Sequence, residues 1–397
     1  MTHYMSRVNS FFASRWGIIL AGAIIGVLAA LLVYWGNPKN MGICVACFER
    51  DIAGGLGLHR ASVVQYIRPE IVGFVLGALL AAVVFREFRA RAGSAPIVRF
   101  VLGVFAMIGA LVFLGCPWRA LLRLAGGDLN AILGLSGLVA GVALGAFFLR
   151  GGFNLGRAQR APLVIGLVLP SAMVGLLLLV IFTPEFGRDA DGNPIGPIFE
   201  SVTGPGSLHA ALAVSLVVGM AVGVLAQRTR FCTMGAIRDV VLVRDTHLLS
   251  GVLALLAAAV VTNAVITGFT GEDLLKLGFA NQPVAHDNHL WNFLGMTLAG
   301  LCFALAGGCP GRQLFLAGEG DGDAAVFVLG MISGAAFAHN FNLASSPAGV
   351  SPYGPEAVVI GLLVAAGIGF GAMDKAWLAA WWKKAFARVK VAAADEA

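Results

Sequence analysis

Ten long apolar segments, separated by shorter polar ones, run along the chain of 397 residues. A bilayer core of about 30 Å takes about 20 apolar residues of helix to cross. The segments lie at about residues 17–35, 70–85, 98–114, 131–149, 162–183, 208–226, 247–268, 291–307, 324–341 and 356–373. This pattern predicts an all-α integral membrane protein with about ten transmembrane helices, forming a single membrane domain over residues 1–397.

The composition also indicates a membrane-embedded chain. Hydrophobic residues make up 58% of it and charged residues only 12%, whereas a soluble domain carries about 25% charge. Gly is frequent at 53 residues, which suits transmembrane helices that pack closely at small side chains. A water-soluble fold is therefore excluded.

The net charge of +6 reflects membrane topology rather than a nucleic-acid partner. If the N-terminus is cytoplasmic, 19 of the 27 Lys and Arg residues fall on the cytoplasmic side, in agreement with the positive-inside rule. We therefore expect a multi-pass protein of the bacterial inner membrane with both termini in the cytoplasm and no nucleic-acid binding. Residues 374–397, where Trp and Lys interleave, are predicted to form a cytoplasmic interfacial helix and tail.

The chain contains an internal duplication. Residues 116–131 match residues 309–324 at a constant offset of 193, with seven identities in 16 positions. A second block repeats at an offset of 188. Its recurring residues are Cys44, Arg50, Asp51 and His59, which return as Cys232, Arg238, Asp239 and His247. The two repeat cores are residues 16–161 and 205–354, and each copy, counted with the span that directly follows its core, has five predicted spans. Because five is odd, the second copy enters the membrane from the opposite side, which predicts two inverted-topology repeats.

Both copies carry a Cys-Pro pair followed by Arg at the end of a span. The residues are Cys116-Pro117 with Arg119, and Cys309-Pro310 with Arg312. Pro ends the incoming helix and favours the first turn of a new one, so each Cys would lie at the N-terminus of a short helix. Free N–H groups there attract anions, and the Arg adds donors suited to oxyanions. A structural helix break with an interfacial Arg is the alternative, but retention in both copies favours an anion site.

The blocks that begin at Cys44 and Cys232 place a thiol six residues before an Arg-Asp pair. They lie in short connections that we predict to be re-entrant helices, which are tolerated at membrane depth when buried in protein. Arg50 and Arg238 are each followed directly by Asp, and we expect that these neighbours do not face each other on one helix. Each Arg would then either pair with a carboxylate of another segment or contact the substrate.

Cys44-x-x-Cys47 has the spacing of a redox dithiol. The second copy has Gly235 at the place of Cys47, so a redox pair is not part of the repeated pattern. Most Asp and Glu lie at span ends, and none of them marks a proton path. Asp323 is expected to cap the helix that follows it. With no metal-ligand spacing or cofactor motif, we expect no metal, no cofactor and no enzymatic activity.

These motifs resemble those of the YeeE/YedE family of sulfur-transport membrane proteins, and especially its branch of selenium transporters. The resemblance rests on the stretch from Gly42 to Arg60, on Phe231-Cys232 followed by Arg238-Asp239, and on Gly307-Gly308-Cys309-Pro310-Gly311-Arg312. It implies a transporter that passes a small sulfur- or selenium-containing anion, such as thiosulfate, along cysteine thiols. The first copy departs from the fuller motif, since it has Leu114-Gly115-Cys116 in place of Gly-Gly-Cys.

The resemblance and the repeat together predict the residues of the substrate path. They are Cys44, Cys116, Cys232, Cys309, Arg119, Arg312, Arg50 and Arg238. The expected partners are the lipid bilayer, the anion and a cytoplasmic sulfur or selenium carrier protein. Two other functions stay open at this point: a membrane thiol-disulfide oxidoreductase that uses Cys44 and Cys47, and a membrane subunit that delivers sulfur or selenium to the carrier.

Overall fold

Helices dominate the computed structural model, which describes residues 9–182, 189–191 and 196–379. The first half contains α1 (Arg15–Tyr34), α2 (Val45–Gly55), α3 (Pro69–Val84), α4 (Pro96–Phe113), α5 (Pro117–Ala125), α6 (Asn130–Arg150) and α7 (Leu163–Phe182). The second half contains α8 (Leu212–Thr229), α9 (Thr233–Val243), α10 (His247–Thr270), α11 (His289–Ala306), α12 (Pro310–Gly318), α13 (Gly322–Asn340) and α14 (Gly354–Gly371). Two strands, β1 (Arg91–Ala92) and β2 (Gln159–Arg160), form a small antiparallel ribbon, and a short 3-10 turn covers Pro205–Ser207.

The helices confirm an all-α, multi-pass membrane protein. Within the described residues, nine helical segments are long and apolar enough to cross a membrane. The remaining predicted span corresponds to α3, an apolar helix of 16 residues. Four other helices, α2, α5, α9 and α12, are only 9 to 11 residues long. The protein therefore combines long apolar helices with short buried ones.

The two halves have the same order of long and short helices, and they pack through equivalent contacts. A Cβ added at Gly137 of α6 would lie 2.0 Å from the carbonyl oxygen of Phe293 in α11. A Cβ added at Gly330 of α13 would lie 2.3 Å from the carbonyl oxygen of Phe100 in α4. At the offset of 193, Gly137 matches Gly330 and Phe100 matches Phe293, so the two contacts are equivalent. Gly is needed here because the backbones approach too closely for any side chain.

The loops between the halves also exchange equivalent contacts. The N–H groups of Arg89 and Arg91, in the loop after α3, donate to two carbonyls just after α12. The N–H groups of Lys276 and Gly278, in the loop after α10, donate to the matching carbonyls just after α5. Each half therefore covers the short Cys-Pro helix of the other half.

The predicted interfacial tail falls mostly outside the described residues. Residues 375–379 are helical, and the Trp377 ring lies 5.6 Å from the ring of Phe147 on α6. The described start of this segment therefore packs on the membrane domain.

Candidate functional site

Each of the four short helices begins at a cysteine. Cys44, Cys116, Cys232 and Cys309 are the N-cap residues of α2, α5, α9 and α12. In α5 and α12 the next residue is Pro at the first helical position, where its fixed φ favours the helix and its missing N–H costs nothing. The prediction that Cys-Pro starts a short helix is therefore confirmed.

The four cysteines come together two by two. The Sγ atoms of Cys44 and Cys116 are 3.8 Å apart, and those of Cys232 and Cys309 are 3.6 Å apart. We call these the first and the second cysteine pair. All six cysteines of the chain are free thiols in the structure. Each pair thus joins two helix N-termini from the same half of the chain.

Backbone N–H groups surround the sulfurs. The N–H of Cys47 donates to the Sγ of Cys44 at 3.3 Å, and the N–H of Gly235 donates to the Sγ of Cys232 at 3.2 Å. The positive ends of two helix dipoles converge at each pair and favour negative charge there. Each pair is therefore a place where a small anion can be held by weak donors instead of by water.

The first pair is sealed inside the protein. Cys44 and Cys116 are at most 1% exposed, and Arg119 beside them is fully buried. The guanidinium of Arg119 donates to the Sγ of Cys47 at 3.1 Å and to the carbonyl of Val284 at 2.7 Å. Val284 belongs to the loop after α10, so the second half of the chain closes this site.

The second pair opens into a cavity of about 390 Å³, which we call the arginine cavity. Its lining includes Cys232 and His247 together with Arg228, Arg230, Arg238 and Arg312. No Asp or Glu lines it among the described residues. The cavity is therefore a positively charged entrance to the second pair, whereas Cys44 and Cys116 of the first pair are at most 1% exposed.

Three of these arginines are partly neutralised from outside the cavity. Arg312 pairs with Glu319 at 3.3 Å, Arg238 pairs with its neighbour Asp239, and Arg228 pairs with Glu87 at 2.9 Å. Arg230, in the left-handed conformation with a φ of 55°, has no ion pair within the part of the chain that the structure describes. The guanidinium groups of Arg228, Arg238 and Arg312 are thus positioned by carboxylates that do not themselves line the cavity.

Glu87 remains ionised in this arrangement. Burial works to raise its pKa, but the hydrogen bond from Gln227 and the charge of Arg228 outweigh burial and lower the pKa below the usual value. Arg228 therefore keeps a charged partner at neutral pH.

An aromatic cluster lies between the two cysteine pairs. Trp118 follows Cys116 by two residues, and its ring centroid is 5.8 Å from that of Phe231, the residue before Cys232. Phe74 and Phe315 complete the cluster, each 6.0 Å from Trp118. The Nε1 of Trp118 is buried without a hydrogen-bond partner in the described structure. The cluster therefore brings the residue two positions after Cys116 against the residue just before Cys232.

The structure corrects the expectation for the Arg-Asp neighbours. Arg50 Nη2 lies 2.6 Å from Asp51, and Arg238 Nη2 lies 2.8 Å from Asp239. Adjacent residues on a helix point in different directions, so short side chains at these positions do not meet. The Arg side chain is long enough to fold back onto the Asp that follows it. In the first copy Arg68 also pairs with Asp51, at 2.7 Å. Arg50 is therefore held in a buried ion-pair network, whereas Arg238 lines the arginine cavity.

A second correction concerns the start of α13. The capping residue is Asp321, whose side chain accepts from the N–H of Ala324. Asp323 instead accepts from the N–H groups of Gly93 and Ser94 in the loop after α3. The tertiary contact with that loop, which the local pattern does not contain, takes Asp323 away from the cap.

Some residues of the site were not predicted from the sequence. Arg228 and Arg230 are among the 19 basic residues that the sequence assigns to the cytoplasmic side, and no further role was expected for them. Their position just before Cys232 is the signal that points to the cavity. Glu49, five residues after Cys44, is fully buried beside the first pair. Its signal was a carboxylate in the re-entrant block that, unlike Arg50 and Asp51 beside it, does not recur in the second copy.

Among the described residues, no three His, Cys, Asp or Glu side chains form a group that could hold a metal ion. The fold defines a multi-pass helical membrane protein. Residues 228–395 match the family model described as sulphur transport, which supports the resemblance to the YeeE/YedE sulfur-transport family. Comparison with curated proteins and with solved structures gives no match.

Proposed function

We propose that the protein transports a small sulfur-containing anion, thiosulfate or a selenium species of similar chemistry, across the bacterial inner membrane. The single observation that carries this proposal is the pairing of four helix-capping cysteines into two sites. The sulphur-transport match over residues 228–395 supports the sulfur chemistry and fits a protein that is not an enzyme. The anion would pass from one cysteine pair to the other between two inverted repeats, with both termini in the cytoplasm.

The chemistry of the pairs suits transport better than tight binding. A charged substrate that leaves water needs replacement donors, and thiols with backbone N–H groups supply weak, uncharged ones. Weak sites in sequence allow both entry and exit. Arg238 and Arg312 would concentrate the anion in the arginine cavity, and Arg119 would stabilise it at the first pair. Arg50 would act indirectly, as a member of the buried network in which Asp51 of α2 also pairs with Arg68, the residue before α3.

The competing oxidoreductase hypothesis needs Cys47 as the partner of Cys44. The Sγ of Cys44 lies 3.8 Å from that of Cys116, a pairing that recurs as Cys232 with Cys309, whereas Cys47 has Gly235 at its place in the second copy. This arrangement favours two equivalent anion sites over one dithiol centre. Delivery to a cytoplasmic sulfur or selenium carrier is compatible with transport, and the arginine cavity would be the place where the anion is released to it.

Uptake by the purified protein in liposomes tests the proposal. We expect the wild type to take up thiosulfate, and Cys309→Ala to abolish uptake because it removes one sulfur of the second pair. Cys302→Ala is the matched control, since Cys302 is equally buried but lies within α11, away from both pairs. Equal uptake by wild type and Cys309→Ala, or equal uptake of sulfate and thiosulfate, would contradict thiol-based transport.

A further inference from the structure

We propose that Glu49 carries a proton together with the anion, so that the protein works as a proton-coupled symporter. This inference rests on the proposed function and deepens it. Glu49 lies on α2 and is 0% exposed. Neither of its carboxyl oxygens has a hydrogen-bond partner in the part of the chain that the structure describes.

An isolated carboxylate cannot remain charged in such a place. Transfer of an unpaired ion into a low-dielectric interior costs so much that the group takes up a proton instead. Each of the other buried carboxyl groups nearby has at least one partner, although Oε2 of Glu70 has none among the described residues. Asp51 pairs with Arg50 and Arg68, and Glu70 accepts hydrogen bonds from Asn37 and Ser215 through one oxygen. Glu49 is therefore the carboxyl beside the first pair that is free to gain and lose a proton.

Cys116 is the titratable group that faces Glu49. The charged groups on the elements packed around α2 are directed to other partners. Arg119 binds Cys47 and Val284, Arg312 binds Glu319, and Arg68 binds Asp51. Arg99 binds Ser94 and Ala306, and the His339 ring packs against that of His59 at a tilt of 33°. Among the described residues no cation is directed at Glu49, and Cys116 of the first pair is the group whose charge acts on it.

The two cysteine pairs differ at this position. The residue that matches Glu49 at the offset of 188 is Ile237 in the second copy. The duplication thus retains the thiols in both copies but has the carboxyl in only one. An anion at the first pair would meet Glu49, whereas an anion at the second pair would meet only arginine charge. The proton would be taken up and released at the first pair.

Charge balance gives the order of events. A dianion that approaches the first pair is repelled by ionised Glu49 and attracted by its neutral, hydrogen-bond-donating form. Glu49 therefore binds one proton from the side on which the anion enters, and the anion then occupies the first pair. When the anion moves on, the proton leaves the carboxyl towards the other side. One proton crosses with each anion, and no covalent bond changes apart from the O–H bond of Glu49.

Proteoliposomes with the membrane potential clamped by potassium and valinomycin test this coupling. An inward gradient of one pH unit corresponds to about a tenfold accumulation ratio for each co-transported proton. We expect the wild type to accumulate thiosulfate about tenfold and to acidify the lumen while doing so. Glu49→Gln should lose both the accumulation and the acidification, and Glu49→Asp should restore the response. Glu272→Gln, which changes an exposed carboxylate, is the matched control.

Thiosulfate counterflow without a pH gradient separates this inference from the proposed function. In one outcome the wild type shows counterflow without a gradient, yet neither accumulates thiosulfate nor acidifies the lumen when the pH gradient is applied. That result would overturn the role of Glu49 and leave transport intact. Absence of wild-type counterflow would overturn transport itself. If Glu49→Gln does not fold, the proposal is tested by lumen acidification during thiosulfate uptake, which the wild type and Glu49→Asp should both show. Gradient-driven accumulation that persists in Glu49→Gln would also refute the proposal.

Discussion

The arginine cavity allows the contribution of one side chain to anion binding to be predicted. Arg312 lines this cavity beside the second pair. Its one described ion pair uses Nη1, at 3.3 Å from Glu319. A guanidinium has five N–H donors, so most of them remain available for an oxyanion. Arg312→Gln removes this charge while keeping a polar side chain of moderate length.

The magnitude follows from the hydrogen bonds that are lost. A hydrogen bond to a charged group contributes about 1.5–3 kcal/mol, and each interval of about 1.4 kcal/mol is a factor of ten in affinity. Arg312→Gln should therefore raise the thiosulfate concentration for half-maximal uptake roughly 10- to 150-fold. The maximal rate should change less, because the cysteine pair itself is intact.

The assay is initial uptake of labelled thiosulfate into proteoliposomes over a concentration series. Arg244→Gln is the matched control, because Arg244 is exposed at the end of α9 and does not line the cavity. The double variant Arg312→Gln/Glu319→Gln tests whether an unpaired Glu319 causes the effect. An unchanged half-saturating concentration, an equal shift in Arg244→Gln, or recovery in the double variant would refute the reasoning.

Three further predictions concern packing and access. Trp118→Ala should let chloride leak through proteoliposomes and should lower the free energy of unfolding by about 3–5 kcal/mol. Trp16→Ala, which removes an exposed ring, should do neither. Vesicles that stay impermeable to chloride with Trp118→Ala would contradict a barrier role for this ring. Gly137→Ala should lower the free energy of unfolding by about 1–3 kcal/mol because the added methyl group overpacks the helix contact. At Gly175 an added Cβ has no atom within 4 Å, so Gly175→Ala should leave thermal stability unchanged or raise it. An impermeant thiol reagent should modify Cys232 from one membrane face, and thiosulfate should slow the reaction; equal rates with and without thiosulfate would argue against a shared site.

Local sequence properties were enough to predict the helices and where they break. A run of about 20 apolar residues makes a membrane helix whatever its neighbours are, and Pro after Cys imposes a break and a new N-terminus on any chain. The repeated Cys and Arg positions followed from comparing the chain with itself. These features depend on residues close together in sequence, so they could be read without the fold.

The direction of side chains on the short helices could not be predicted. All 11 residues of α2 are buried, so no polar face distinguishes Cys44, Glu49 and Arg50 by periodicity. Long side chains add a second difficulty, because Arg50 reaches Asp51 by folding back, against the rule for helix neighbours. Burial on every side removes the contrast on which sequence patterns depend.

The sequence by itself determined a helical membrane protein with a duplicated set of thiols at helix starts. Only the tertiary structure decided which thiols meet, since Cys44 and Cys116 are separated by 72 residues and joined by packing between helices. It also decided that the second pair opens to a cavity while the first is closed by a loop of the other half. Access and pairing depend on contacts between distant segments, and a repeat that is symmetric in sequence can be open at one end and closed at the other.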